Sequence, residues 1–482
     1  MINPFVIRLE LAVVALMVAV LLGDAFARRV SRRGWGAAVA LALLALAGYA
    51  AAGGGILCRG DACAFTAGGL WLVDAFALWV KAFALVATAV CVLLASRAEG
   101  EDAPGFAEQV ALQLGACLGM MALGSARDLV TLYISLELMA VCLFLLVAWR
   151  KEDPVGIEAG VKYLVYGAMA SAILLYGLVL VYGAAGSLQF GEIRRFVAAR
   201  PDSALLLAGA ALALAGVGFK VSAVPFHWWT PDVYEGAPVP SMAALSLLSK
   251  AAGFAVLARL LLDVFLPLRD WWMPGLAWLG AATLLWGSLG GLSQSNLKRL
   301  LAYSGISHSG FMLLALATPG LMGAEAMLYY QVAYLLGAGL VFAAMVGMGE
   351  AGRRHDLRDL AGLARGSPWL AGAMLLGLLG LGGIPPLAGF LGKLLVIRGV
   401  VSGSGWLLAG AAVAGAVCSL AYYLAVLKAA LAPPADGAPA APAPGRALRA
   451  LVVALGVGLI LAGAWPAPLW GAVRAAAESI CR

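Results

Sequence analysis

The sequence predicts an all-α polytopic membrane protein, and three observations carry that prediction. Of its 482 residues, 63% are hydrophobic and only 12% charged, whereas a soluble globular chain holds roughly 45–50% apolar and 25% charged residues. The apolar residues gather into fourteen runs, most of them long enough to meet the ~20 residues a helix needs to cross a hydrocarbon core. Between the runs no polar stretch is long enough to hide a soluble domain.

Spans 1 to 3 fall near 5–26, 35–57 and 70–95, inside an N-terminal unit of residues 1–106. Span 1 is read as a retained helix, because Arg8 and Glu10 interrupt its start, "RRVSRR" follows it, and no small-residue cleavage site stands out. Spans 4 to 8 (107–123, 129–149, 161–183, 203–228, 238–266) form a first five-helix unit, residues 107–266. Spans 9 to 13 (271–292, 300–318, 323–349, 367–393, 405–430) form a second, residues 267–430. A Pro/Ala-rich linker at 431–446 leads to span 14 near 447–471, in a C-terminal unit of residues 447–482. A group of five spans ends on the opposite side from where it began, so the second group is expected upside-down relative to the first. That is the parity of an inverted repeat.

The fourth span of each group carries a breaker: Pro225 in span 7, and Pro385 and Pro386 in the "GGIPP" of span 12. Proline removes a backbone donor and clashes with the preceding turn, which a membrane tolerates only where protein or water satisfies the freed groups. Interrupted helices at matching places in two halves point to an ion or substrate site at mid-membrane, whereas a single kink would be only packing.

Loops after odd-numbered spans hold the larger share of Lys and Arg, including "RRVSRR", Arg353, Arg354, Arg358 and Arg365. The positive-inside rule therefore puts those loops in the cytoplasm and both termini outside. The net charge of +7 reflects that bias, and no basic, aromatic-interleaved patch suggests nucleic acid. The seven cysteines show no CxxC and no clustering with histidine, so no iron–sulfur or zinc site is expected. Cys58 and Cys63 read equally as a disulfide on the outer side or as two free thiols. Residues 184–202 hold a short amphipathic helix for the outer surface.

Ionisable residues within the spans carry the chemistry, since each costs roughly 2.5–3.5 kcal/mol at a helix centre on insertion scales. The candidates are Glu137 in "YISLELMAV", Lys220 five residues before Pro225, Lys250 in "LSLLSKAAGF" and Lys393 in "LAGFLGKLLVI". The break beside Lys220 gives polar room to a charge that apolar helix would expel. Lys250 has Ser246 one turn away and Ser249 beside it, with Gly253 expected to leave space for water. His308, among Ser304, Ser307 and Ser309, reads as a relay or equally as a structural histidine with a hydroxyl partner. Lys81 shares a helix face with Asp74 and reads as part of a static polar network. His227, Asp232 and Glu235 read as an inlet funnel or as loop caps, and His355 as solvated.

The segments "FKVSAVPFHWWTPDVYEGAP", "LELMAVCLFLLVAWR", "NLKRLLAYSGISHSGFMLLAL" and "GIPPLAGFLGKLLVI" together resemble the antiporter-like proton-pumping subunits of bacterial respiratory complex I, NADH:quinone oxidoreductase. Within that family the resemblance favours the subunit N branch, because helix 12 carries lysine where subunit M has glutamate, and the long lateral helix of subunit L is missing. It implies fourteen helices, broken helices 7 and 12, and proton translocation through Glu137, Lys220, Lys250 and Lys393, with His308 on the polar helix-10 segment. It places NADH, FMN, iron–sulfur clusters and quinone in partner subunits and none in this chain. The partners implied are other membrane-arm subunits and lipids, in a bacterial cell membrane. The rival readings are a sodium/proton antiporter or membrane hydrogenase subunit, and a non-pumping anchor. An anchor predicts permanent ion pairs for all four charges. The linker offers little apolar surface and no recurrent charge. A Gly/Ser stretch of equal length in place of "DGAPAAPAPG" is expected to leave pumping nearly unchanged, and lost pumping with intact assembly would contradict that.

Overall fold

The computed structural model describes residues 7–26, 31–57, 65–67, 69–98, 105–349, 355–403, 405–434 and 444–481. Cys58, Cys63, Arg353, Arg354 and most of the linker lie outside the described residues. Helices dominate: α1 (Arg8–Phe26), α2 (Arg32–Leu57), α3 (Ala75–Ala98), α4 (Phe106–Ser125), α5 (Leu129–Val147) and α6 (Pro154–Ala185) come first. An antiparallel hairpin, β1 (Phe65–Ala67) and β2 (Trp71–Val73), precedes α3 with Thr66 opposite Leu72. Span 3 as predicted runs through β2, because the strand's alternation is too short to stand out from an apolar run. Then follow α7 (Phe190–Ala199), α8 (Ala204–Lys220), α9 (Trp229–Gly236), α10 (Val239–Val264), α11 (Leu266–Leu292), α12 (Leu297–Leu316) and α13 (Leu321–Met348). The chain ends with α14 (Pro368–Gly382), α15 (Ala388–Gly403), α16 (Trp406–Leu431), α17 (Arg446–Ala464) and α18 (Ala467–Ile480).

Eleven helices among the described residues are long and apolar enough to cross a membrane, and α8 and α14 are shorter apolar helices. Their starts follow the local chemistry. Asp128 accepts from the amides of Val130 and Thr131 at the head of α5, Asp153 caps α6 with Pro154 in its first turn, and Asn296 caps α12. On α5 the exposed residues are themselves apolar, with Val130, Ile134, Leu138, Val141 and Leu145 at helical spacing. Leu132, Leu136, Met139 and Leu143 pack inward on the same helix. A helix apolar on every face is in its medium only when lipid takes the outer one.

The amphipathic segment expected at 184–202 is α7, which buries Phe190, Ile193 and Val197. Span 14 is predicted to reach residue 471, but α17 stops at Ala464 and Pro466 begins the separate α18. Proline restricts the residue before it away from helical backbone, so apolarity alone overruns the boundary. Both breaks are present: helix is interrupted between Lys220 and Trp229, and between Gly382 and Ala388. Span 8 is one helix, α10, with π-helical turns at Leu245–Ser249 and Arg259–Val264. Neither turn has a sequence signal. At the start of the linker, Ala432 O accepts from the Gly362 amide.

Candidate functional site

At the first break the chain satisfies its own backbone. The Ser222 amide donates to Phe219 O at 3.0 Å and the Ala223 amide to Gly218 O at 2.9 Å. Two side chains complete the pairing. Thr283 Oγ1 on α11 accepts from the Val224 amide at 3.0 Å, and Trp229 Nε1 donates to Phe219 O at 3.0 Å. Lys220, the last residue of α8, is buried with its Nζ near the rings of Phe144 and Phe219. It takes no protein acceptor among the described residues. The C-terminal carbonyls of a helix carry partial negative charge, so an ammonium there sits in a favourable field without a counter-ion.

Glu137 lies half-buried on α5, and its Oε1 accepts from Ser171 Oγ of α6 at 2.5 Å. It forms no ion pair with Lys220 among the described residues. Lys250 is buried at the middle of α10, just after a π-helical turn, with no protein acceptor for its Nζ among the described residues. The space expected at Gly253 is filled, since a Cβ there would press on Val221 and on Lys220. Glycine at this position instead lets α10 pack against the first break. Room for the ammonium comes from Gly305 on α12, where a Cβ would run into Lys250 Nζ. Ser246 is already engaged, hydrogen-bonded at 2.6 Å to Tyr334 OH on α13.

Lys393 follows the second break, as the sixth residue of α15, whereas Lys220 precedes the first. The two are therefore not equivalent in chain position. They converge in environment, because Lys393 Nζ reaches back to donate to Gly382 O, the end of α14, at 2.9 Å, with Ser419 Oγ at 3.5 Å. Its ammonium also lies 5.2 Å from the Phe311 ring centroid. The backbone of α17 closes this break from outside: a Cβ at Gly463 would collide with Pro386 and Ala388, and Ala462 O accepts from Tyr329 OH at 2.7 Å.

His308 is buried between the lysines, and its partners are not the neighbouring serines. Nδ1 is 2.7 Å from Tyr330 OH and Nε2 is 3.0 Å from Tyr423 OH. Ser304 is hydrogen-bonded to Tyr423, Ser307 to Ser288, and Ser309 to Gly305 O on its own helix. Sequence reasoning misses the tyrosines because an apolar helix hides an aromatic easily, although "LYYQVAY" and "AYY" concentrate phenols unusually in two spans.

Other expectations shift. Lys81, read as part of a static polar network, is held in one by Glu10 at 2.8 Å, while Asp74 on the same face has another partner. Seven residues separate Lys81 from Asp74, about 10 Å along a helix, too far for contact. Asp74 is held instead by Arg259 through both carboxylate oxygens, at 2.8 and 2.9 Å. Asp232 and Glu235 each lie 2.8 Å from Arg299 Nη1, which ties α9 to α12. His227 is buried against Trp228 and Trp286, and His355, expected in solvent, is buried with its carbonyl accepting from the Leu297 amide at 2.8 Å. Among the described residues no cluster of His, Cys, Asp and Glu could hold a metal ion.

None of Glu137, Lys220, Lys250 and Lys393 forms an ion pair among the described residues, so the pairing an anchor requires is not there. Interrupted helices with buried, unpaired ammonium groups define an antiporter-like membrane subunit. Residues 126–419 match the family described as NADH:quinone oxidoreductase/Mrp antiporter, TM. NADH-quinone oxidoreductase subunit N of Moorella thermoacetica is 40% identical over 403 residues, covering 83% of this chain and 84% of that protein. The subunit N of Parvibaculum lavamentivorans is 37% identical over 440 residues, 90% of each chain. The chain belongs to the NADH-quinone oxidoreductase subunit N family. A chain of respiratory complex I from Thermus thermophilus superposes with a TM-score of 0.81 at 34% identity, over 97% of this chain and 99% of that one. A chain of the Mrp complex from Dietzia, 22% identical, shares the fold with a TM-score of 0.83 over 99% of this chain and 98% of that one.

Proposed function

We propose that this chain is a proton-translocating membrane-arm subunit of an NADH:quinone oxidoreductase, with Glu137, Lys220, Lys250 and Lys393 moving the proton and His308 between the last two. NADH, flavin, clusters and quinone belong to partner subunits, and redox work done there drives the charge movements here. The reading extends to fourteen spans, two inverted five-helix units at 107–266 and 267–430, and both termini on the outer face. The observation that carries it is the absence of a fixed counter-ion, among the described residues, at any of the three lysines. A lysine held permanently charged at mid-membrane without a partner is costly, whereas one that alternates between ammonium and amine meets that cost only part of the time.

Glu137 supplies the switch. A carboxylate brought to ~4 Å of an ammonium at an effective dielectric near 20 stabilises it by about 4 kcal/mol, nearly a thousandfold in proton affinity. Approach of ionised Glu137 therefore loads Lys220, and its withdrawal or protonation releases the proton towards Lys250. Lys250 lies against Gly305 of α12, which makes it the hand-over between the units.

Glu137→Gln and Lys220→Ala are each expected to lower proton pumping and coupled NADH:quinone turnover in assembled complexes, by at least ~10-fold for pumping. Proton uptake by reconstituted vesicles, with subunit content checked in the same preparation, measures this. Wild-type pumping from either fully assembled variant removes the pair from the mechanism.

A further inference from the structure

We infer that Tyr330 and Tyr423 are proton-transfer partners of His308, and that the two phenols make the imidazole a through-relay from Lys250 to Lys393. The inference rests on the proton-translocating reading above. Helix α12 is the ruler on which the parts are spaced. Lys250 Nζ lies against Gly305, His308 stands one turn further on, and Lys393 Nζ faces Phe311. Six residues from 305 to 311 span about 9 Å of helix axis, with the imidazole at the middle. No single side chain bridges that length.

The choice of partners is the informative part. A carboxylate or backbone carbonyl on one ring nitrogen would hold the proton there and fix one tautomer. Here both nitrogens meet hydroxyls, 2.7 Å from Tyr330 and 3.0 Å from Tyr423, and a hydroxyl donates or accepts equally well. Either tautomer is therefore fully satisfied. Both phenols lie near the Lys393 end, where Tyr423 packs against Gly382, the acceptor of Lys393, and Tyr423 alone also reaches the Lys250 side. Tyr423 is hydrogen-bonded to Ser304, beside the Gly305 that touches Lys250. Tyr330 stacks on Phe311 with ring centroids 5.6 Å apart and packs against Gly392, next to Lys393. A cavity of about 10 Å³ bordered by His308, Tyr330, Tyr334, Gly380, Leu381 and Gly389 adds room for about one water on that side.

The transfer balances. Ser304 takes a proton from the Lys250 side and gives its own to Tyr423, which passes its hydrogen to Nε2. Nδ1 releases its hydrogen to Tyr330, whose own moves on to the Lys393 amine. Each oxygen ends with the hydrogen count it began with, and the imidazole keeps one hydrogen on the other nitrogen. The charged groups around the ring are Lys250 and Lys393, so Lys250 must hand over its charge before the imidazole is asked to carry one. Tyr334, whose ring lies 5.0 Å from that of His308, is bound to Ser246 and stays outside the relay.

The test uses the intact complex in vesicles. Tyr330→Phe and Tyr423→Phe keep ring shape and remove only the hydroxyl, and each is expected to lower the rate of coupled proton pumping by at least ~10-fold. Tyr329→Phe, whose hydroxyl binds a backbone carbonyl of α17, serves as the control and should retain pumping. Difluorotyrosine at position 423 keeps both hydroxyl and shape, so a relay changes its pumping rate and solvent deuterium isotope effect while a packing role leaves them alone. If a phenylalanine variant fails to assemble, this measurement decides. Lys250→Ala, run alongside, separates the two levels: loss there with wild-type behaviour of both tyrosine variants and of difluorotyrosine overturns the relay alone, and normal pumping by Lys250→Ala overturns the underlying reading.

Discussion

Lys250→Arg and Lys393→Arg complexes are expected to assemble and to lose coupled proton pumping. Arginine keeps the positive charge but holds its proton with a pKa above ~12, so it cannot release it at a useful rate. A lysine acting as a fixed charge would survive that change, and a lysine acting as a carrier would not. The neutral counterpart Lys250→Met is expected to fail equally, since it has nothing to carry. Bulk is a separate effect at position 250, because the ammonium is already pressed against Gly305, so assembly must be verified by subunit content. Position 393 supplies the cleaner comparison, with Nζ free to donate to Gly382 O. The measurement is the rate of coupled proton uptake by reconstituted complexes, with a loss of at least ~10-fold expected in each arginine variant. Near-normal pumping in both would reduce the residues to structural cations.

The second large effect is on stability. Arg259 donates to both oxygens of Asp74 and, through Nη2, to Gly124 O at 2.9 Å, with its guanidinium 4.7 Å from the Phe76 ring. It thereby ties α10 to the head of α3 and the tail of α4. Only 1% of its side chain is exposed. Breaking a buried pair from one side strands the other charge, at a cost of about 3–5 kcal/mol. Arg259→Ala is therefore expected to leave little of this chain in the purified complex and to lower its thermal dissociation temperature by several degrees. Asp74→Asn combined with Arg259→Gln, which removes both charges, should recover part of the loss. A single variant with wild-type yield and dissociation temperature would show the pair to be dispensable.

The fold was largely readable because membrane insertion leaves composition few options. Apolar runs and the paired prolines located most of the long helices and both interruptions, and the cost of intramembrane charge made Glu137, Lys220, Lys250 and Lys393 the candidates. What escaped was whatever depends on two helices meeting. Gly253 reads as open space in one dimension, yet in three it is the seat of Val221. Arg259 and Asp74 lie 185 positions apart in the chain, and no periodicity joins them. The serines beside His308 were the visible candidates, but helical geometry aims Ser309 at its own backbone, while the phenols that do reach the ring come from α13 and α16. The π-helical turn before Lys250 lies in a run of residues compatible with ordinary helix.

The glycine contact between α17 and the second break has an electrical meaning. A membrane at 100 mV stores about 2.3 kcal/mol for each elementary charge that crosses it, and that potential falls most steeply wherever the low-dielectric wall is thinnest. A break in a membrane helix is such a place. Gly463 lets the α17 backbone close against Pro386 and Ala388, so on the proposed reading the last long helix among the described residues would serve as insulation beside Lys393. Leakiness in the resting enzyme, more than its turnover, is where damage to that helix would register.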